Sequence, residues 1–216
     1  MRLPPVLTPD DLPAPELYAA RLDGVLFRVG GCFSPVDEIE QPRHRAAAVH
    51  AGRSSRLIAE QLSAAWVWGA LDTPPQQHQF CVATEARVSH DPAPWVSLRE
   101  VVIAADEIVD FDGALVTSPT RTVVDLARFG SQFDPRVVLR LVSAGASLAD
   151  ARAAVGGRRN LPNKHLALDR LAQVSEERAG MFSSDEYEPL SDSALKVNGR
   201  STRTNPSGQC RVPAGM

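Results

Sequence analysis

The sequence predicts an α+β fold, and three observations carry that expectation. Two β-prone runs, residues 25–29 and 32–36, are joined by Gly30-Gly31, the two-residue loop of a tight hairpin. Further strand-like runs at residues 79–83, 95–103 and 114–116 are separated by turn residues, which predicts a small sheet. From Thr117 onward, Pro, Ser and Asp recur at positions that start helices, so the chain closes with helices.

Taken in order, Thr8-Pro9-Asp10-Asp11 has a cap, a proline for the first turn and two acids for the positive end, and predicts a short helix. Pro13 and Pro15 interrupt it, and residues 16–22 read as a second helix stopped at Asp23-Gly24. After the hairpin, Pro42 leads a helical run to His50. Ser55 can then cap a helix over residues 56–69, in which Ile58, Leu62 and Trp66 recur at helical spacing. The closing helices are expected at residues 119–129, 135–144, from Ser147, and from Pro162 to Val174. Residues 175–216 are rich in Ser, Gly, Pro and charge, and are expected to form a disordered tail.

Composition narrows the function. With 216 residues and 44% hydrophobic content the chain can bury a core, while a net charge of −3 and a pI near 6.0 give no overall basic excess for nucleic acid. Cys32, Cys81 and Cys210 are odd in number and form no CxxC pair, which suits a reducing compartment. No signal peptide or run of about 20 apolar residues is visible. A cytoplasmic protein without a membrane partner is expected.

No catalytic set assembles. His44, His50, His78, His90 and His165 match neither HExxH nor a Cys/His finger, and GxSxG, Walker and GxGxxG motifs are missing. Asp106, Glu107, Asp110 and Asp112 cluster in a turn-rich segment and are expected to be a solvated loop. The expectation is a binding protein, not an enzyme, with no metal and no cofactor.

Two features suit binding. The order helix, helix, glycine-tipped hairpin over residues 8–36 is that of a reduced winged helix-turn-helix, with Tyr18 and Arg21 on the helix and Arg28 on the wing as DNA contacts. An ordinary αα-hairpin packed on a β-ribbon gives the same order, and residues 1–70 hold seven arginines against eight carboxylates. Residues 121–174 carry nine Arg or Lys against four aspartates, which makes Arg121, Arg128, Arg136 and Arg140 a candidate partner surface. A solvated helix face is the plainer alternative, with Arg121 and Asp125 an i,i+4 pair worth roughly a few tenths of a kcal/mol.

The strings at residues 62–70 (LSAAWVWGA) and 116–128 (VTSPTRTVVDLAR) resemble the AbiEi family of antitoxin transcriptional regulators. The resemblance spans roughly residues 6–174 and implies an N-terminal winged helix that represses its own promoter. It also implies an antitoxin domain that counters a nucleotidyltransferase toxin without a stable complex. By position, residues 16–22 would be the recognition helix, 25–36 the wing and 119–129 a helix of the antitoxin domain. The second string also resembles the region preceding an endonuclease domain in very-short-patch-repair-like proteins, and residues 175–216 are too short and polar to supply that domain. Three functions stay in view: repressor and antitoxin, a non-enzymatic protein- or RNA-binding module, and a nuclease-less relative of the endonuclease-linked proteins. The expected organisation is a winged-helix-like region at 1–53, an AbiEi-like domain at 54–174 and the tail at 175–216.

Overall fold

The computed structural model describes residues 4–86, 95–130 and 133–183, with side chains to residue 180. Met1–Ser184 forms one compact unit, and the other, Asp185–Met216, lies outside the described residues together with most of the expected tail.

The helix expected from Thr8 does not form. Asp11 Oδ2 accepts from both the Thr8 N–H (2.8 Å) and its hydroxyl (2.9 Å), which closes a single turn, and Pro13 stops it from growing. The first helix, α1 (Ala14–Leu22), carries Pro15 in its first turn, where a missing N–H costs nothing, and ends at Gly24 with φ 74°. The hairpin forms as expected: β1 (Leu26–Val29) pairs antiparallel with β2 (Cys32–Pro35), Val29 opposite Cys32, and Gly30 takes φ 59° at the tip. Leu7, Leu17, Leu26 and Phe33 form a small core that glues α1 to the hairpin. The tip rests on the next layer: a Cβ at Gly30 would lie 3.0 Å from the Trp66 ring.

After α2 (Pro42–His50), the expected helix over residues 56–69 is split. Ile58 and Ala59 form the strand β3, and only α3 (Gln61–Val67) is helical. Ile58 has helical spacing from Leu62 but pairs with Cys81 on one side and Leu115 on the other. A two-residue strand buried on both sides shows no alternation that would reveal it. The remaining strands are β4 (His78–Ala83), β5 (Val96–Val101), β6 (Ile108–Phe111) and β7 (Ala114–Thr117), in the spatial order β5-β4-β3-β7-β6. Pairing is mixed, with β4–β5 and β3–β7 parallel and β3–β4 and β6–β7 antiparallel. β6 was hidden by its acids. It is the first arm of a hairpin turned by Asp112 (φ 54°) and Gly113 (φ 92°), and Asp110 Oδ1 accepts from the Gly113 N–H at 2.6 Å.

Helices α4 (Pro119–Phe129), α5 (Pro135–Ser143) and α6 (Leu148–Gly157) start where expected, with Ser118, Asp134 and Ser147 accepting from the first-turn N–H groups of Arg121, Arg136 and Asp150. The last, α7 (Lys164–Ser183), continues past Val174, so the expected tail begins as helix. Ala167, Leu171 and Val174, at i, i+4 and i+7, are fully buried against Val123, Leu126 and Ala127 of α4 and Val138 of α5. A second core lies between the sheet, α2 and the hairpin, where Val29, Cys32, Ala46 and Val49 pack with Val67, Phe80 and Val116. Among the described residues no helix is long and apolar enough to cross a membrane.

Two histidines in this core give the fold an acid limit. His50 Nε2 donates to the Leu115 carbonyl (2.9 Å), which leaves a buried Nδ1 with no hydrogen-bond partner among the described residues. His44 Nδ1 accepts the Gln41 N–H at 3.0 Å, so neither ring takes a second proton without loss. Burial first, and nearby arginines second, push both pKa values below the ordinary 6.5. The native state therefore binds fewer protons than the unfolded one, and stability present above pH 6.5 falls as pH drops towards the lowered folded values. Each histidine held neutral contributes a slope approaching about 1.4 kcal/mol per pH unit. Urea melts of wild type and His50→Gln between pH 7.5 and 5 should show a shallower slope in the variant; equal slopes would refute the assignment.

Candidate functional site

The expected DNA-contacting residues share one module. Tyr18 is half exposed, and its ring meets Phe33 edge-on at 5.3 Å, which holds α1 against β2. Arg21 lies in the last turn of α1, and Arg28 on β1 donates from Nη2 to the Gly30 carbonyl at 3.1 Å, along the hairpin towards its tip. All three are at the surface. The helix that would precede α1 in a complete helix-turn-helix is the single Thr8–Asp11 turn.

A second site was not expected. α4 is buried all round from Arg121 to Arg128, so its charged residues must find partners inside the protein. Asp125, fully buried, is the hub. Its Oδ2 accepts from Arg121 Nε at 2.8 Å, and its Oδ1 lies 3.4 Å from Arg99 and 3.9 Å from Arg128. Arg99, from β5, grips Glu60 with two N–H groups at the end of β3, where Gln61 adds a third donor from a left-handed backbone (φ 47°). Arg121 continues to Glu107 (2.6 Å), which also faces Arg158 (3.7 Å). Phe129 closes the cluster, with the Arg99 and Arg128 guanidiniums 4.3 and 4.4 Å from its ring centre.

The electrostatics are uneven. Burial opposes the charges of Arg99 and Arg121, but hydrogen bonds and attraction from Glu60 for the first, and Asp125 and Glu107 for the second, raise both pKa values. Arg128 goes the other way. Burial lowers its pKa, attraction to Asp125 does not make this good, and repulsion from Arg121, Arg99 and Arg158 adds to the fall. Cys81, buried on β4, is pushed up by burial and then by Glu60 and Asp125, so its thiol is inert.

Residues 58–152 match the family model described as the AbiEi antitoxin C-terminal domain. This segment is similar to the AbiEi antitoxin family. Apart from Arg158, the whole charged cluster falls inside the AbiEi domain, as do β3 to β7 and helices α3 to α5. No curated protein matches the chain. Among solved structures, the chain is similar to the crystal structure of RV2827C protein from Mycobacterium tuberculosis, with 19% identity, 82% of this chain and 75% of that one covered, and a TM-score of 0.41.

Within the AbiEi domain the structure corrects the expected partner surface. Arg121 and Arg128 are only 4% and 7% exposed, and Arg128 Nε donates to the Pro162 carbonyl. They hold the interior together, whereas Arg136 and Arg140 are exposed, Arg140 pairing with Asp72 at 3.0 Å. The Arg121–Asp125 pair is likewise a buried bond in a network and not a surface pair. Glu107 is no solvated loop acid, because Arg121 reaches it. Glu60, Arg99 and Arg158 had no sequence signal beyond being charged, since they meet only through the β3–β4–β5 pairing and the return of α6. Ser63 Oγ and His78 Nδ1 lie 3.5 Å apart, but Ser63 is buried and already accepts the Gln79 N–H, so this contact is structural. Among the described residues no group of three or more His, Cys, Asp or Glu could hold a metal ion.

Proposed function

We propose that this chain is the antitoxin of a toxin–antitoxin pair whose toxin is a nucleotidyltransferase, and that it represses its own promoter through the α1–hairpin module. The observation that carries the antitoxin role is the AbiEi match over residues 58–152. Support for DNA binding is geometric: Tyr18, Arg21 and Arg28 are exposed on a helix and an adjoining glycine-tipped hairpin, the parts that a winged helix sets in a groove and along phosphates. Countering the toxin without a stable complex leaves the exposed arginines Arg136 and Arg140 as a surface for transient contact.

Arg21 and Arg28 have different roles here. Arg21 reads a base edge, a contact worth about 1–3 kcal/mol of discrimination, so Arg21→Ala flattens the preference for upstream DNA over a scrambled duplex. Arg28 meets a phosphate, so Arg28→Ala weakens both duplexes alike and lowers the salt slope by about one. Fluorescence-anisotropy titrations at several salt concentrations measure both. Wild-type protein without preference for its own upstream DNA would remove the repressor role. The antitoxin role is tested separately at the neighbouring reading frame, which should encode a nucleotidyltransferase whose toxicity is relieved, with growth restored, on co-expression with this chain.

A further inference from the structure

The arginines of the AbiEi domain border an open cleft of about 250 Å³, lined by Arg99, Arg121, Arg128, Phe129, Arg158 and Leu161. Its charges do not balance. Four guanidiniums converge there, and the carboxylates that hold them, Glu60, Asp125 and Glu107, are shared: Arg121 takes part of two, and Asp125 serves three arginines at once. Glu100 also borders the cleft, but it follows Arg99 on β5, and strand alternation turns its side chain to the opposite face.

We propose that this cleft binds a phosphate group, with the half-exposed Arg158 as its donor and Arg99, Arg121 and the buried Arg128 as the fixed charges behind it. Guanidinium forks match the oxygen pairs of a phosphate, and they are held in place here before any ligand arrives. Arg128 supplies independent support: three like charges surround it, and the nearest carboxylate oxygen is 3.9 Å away, so an arriving anion relieves a repulsion already present. The cleft is smaller than the roughly 300–1,000 Å³ that holds a drug-sized molecule. The Phe129 ring is already engaged by the guanidiniums of Arg99 and Arg128, which compete with a nucleobase for it. The site therefore recognises the phosphate and not the base, and inorganic phosphate and a nucleoside monophosphate bind alike. None of this depends on the toxin or on DNA.

The probe is inorganic phosphate, with adenosine monophosphate as the second arm, added to the full chain at constant ionic strength and followed by calorimetry and thermal shift. Saturable binding is expected, with the two ligands within about twofold. Arg158 is half exposed, so Arg158→Glu folds, and it weakens both ligands by about tenfold. Arg152→Glu, the same charge change on the exposed face of α6, leaves them unchanged. Arg158→Gln, which retains a donor without the charge, falls between. Lack of saturation, equal loss in the Arg158 and Arg152 variants, or a clear preference for the nucleotide would each overturn the proposal.

Discussion

Asp125→Ala is expected to be the most damaging single change in the chain, costing about 3–5 kcal/mol. The aspartate is fully buried, and among the described residues it is the one carboxylate within reach of Arg99, Arg121 and Arg128 together. Its removal leaves guanidiniums in the interior with too few counter-charges, and Arg128, already destabilised by its neighbours, loses the carboxylate it pairs with among the described residues. Most of the loss is the penalty of stranded charge and not the net worth of the pairs, because desolvating both partners offsets much of their attraction. Urea unfolding of Asp125→Ala beside Asp169→Ala, an exposed acid on α7, measures the difference. The exposed variant should stay within about 0.5 kcal/mol of wild type. If the two variants melt alike, the hub assignment is wrong.

Leu171→Ala should cost about 2–5 kcal/mol, the range for truncating a buried leucine. Leu171 is fully buried in the core that α7 shares with α4 and α5, in the middle of the Ala167, Leu171, Val174 stripe that seats α7 on those helices. Arg170 Nη1 to the Ala127 carbonyl and Asn163 Nδ2 to the Arg128 carbonyl, both 3.0 Å, leave the helix little freedom to collapse into the space. Glu176→Ala, on the exposed side of the same helix, should change stability by no more than about 0.5 kcal/mol. A small loss for Leu171→Ala in a thermal or urea melt would mean that α7 is peripheral to the fold.

What the sequence made legible was whatever is encoded locally. The Gly30-Gly31 hairpin and the Ser118, Asp134 and Ser147 helix starts depend on residues within three or four positions of each other, and each formed as expected. The failures share the opposite property. β3 is too short for a periodicity, and Ile58 is a strand residue only because β4 and β7 flank it. The Thr8 turn carries good helix-starting residues, but Asp11 folds back onto Thr8 before a second turn can add its hydrogen bonds. The charged cluster joins residues from 60 to 158, and Arg121 and Arg128 read as surface because arginine usually is. Burial of a whole helix around charged side chains is a property of the assembled layers, with no signature in any window of the chain.

The two-residue strand at the centre of the sheet also sets an order of events during synthesis. Ile58 and Ala59 find one neighbour, β4, within the next 25 residues, but the other, Leu115 and Val116, is made much later. At about 5–20 residues per second, that side of the central strand stays unpaired for on the order of 3–10 s as the chain emerges. During this interval a nascent chain presents an open edge at the position where the finished protein has none, and closure waits on the most distant pairing in the sheet. The sheet is therefore closed at its middle last, when Ala114–Thr117 slides in beside β3 and brings α4 with its buried charges behind it.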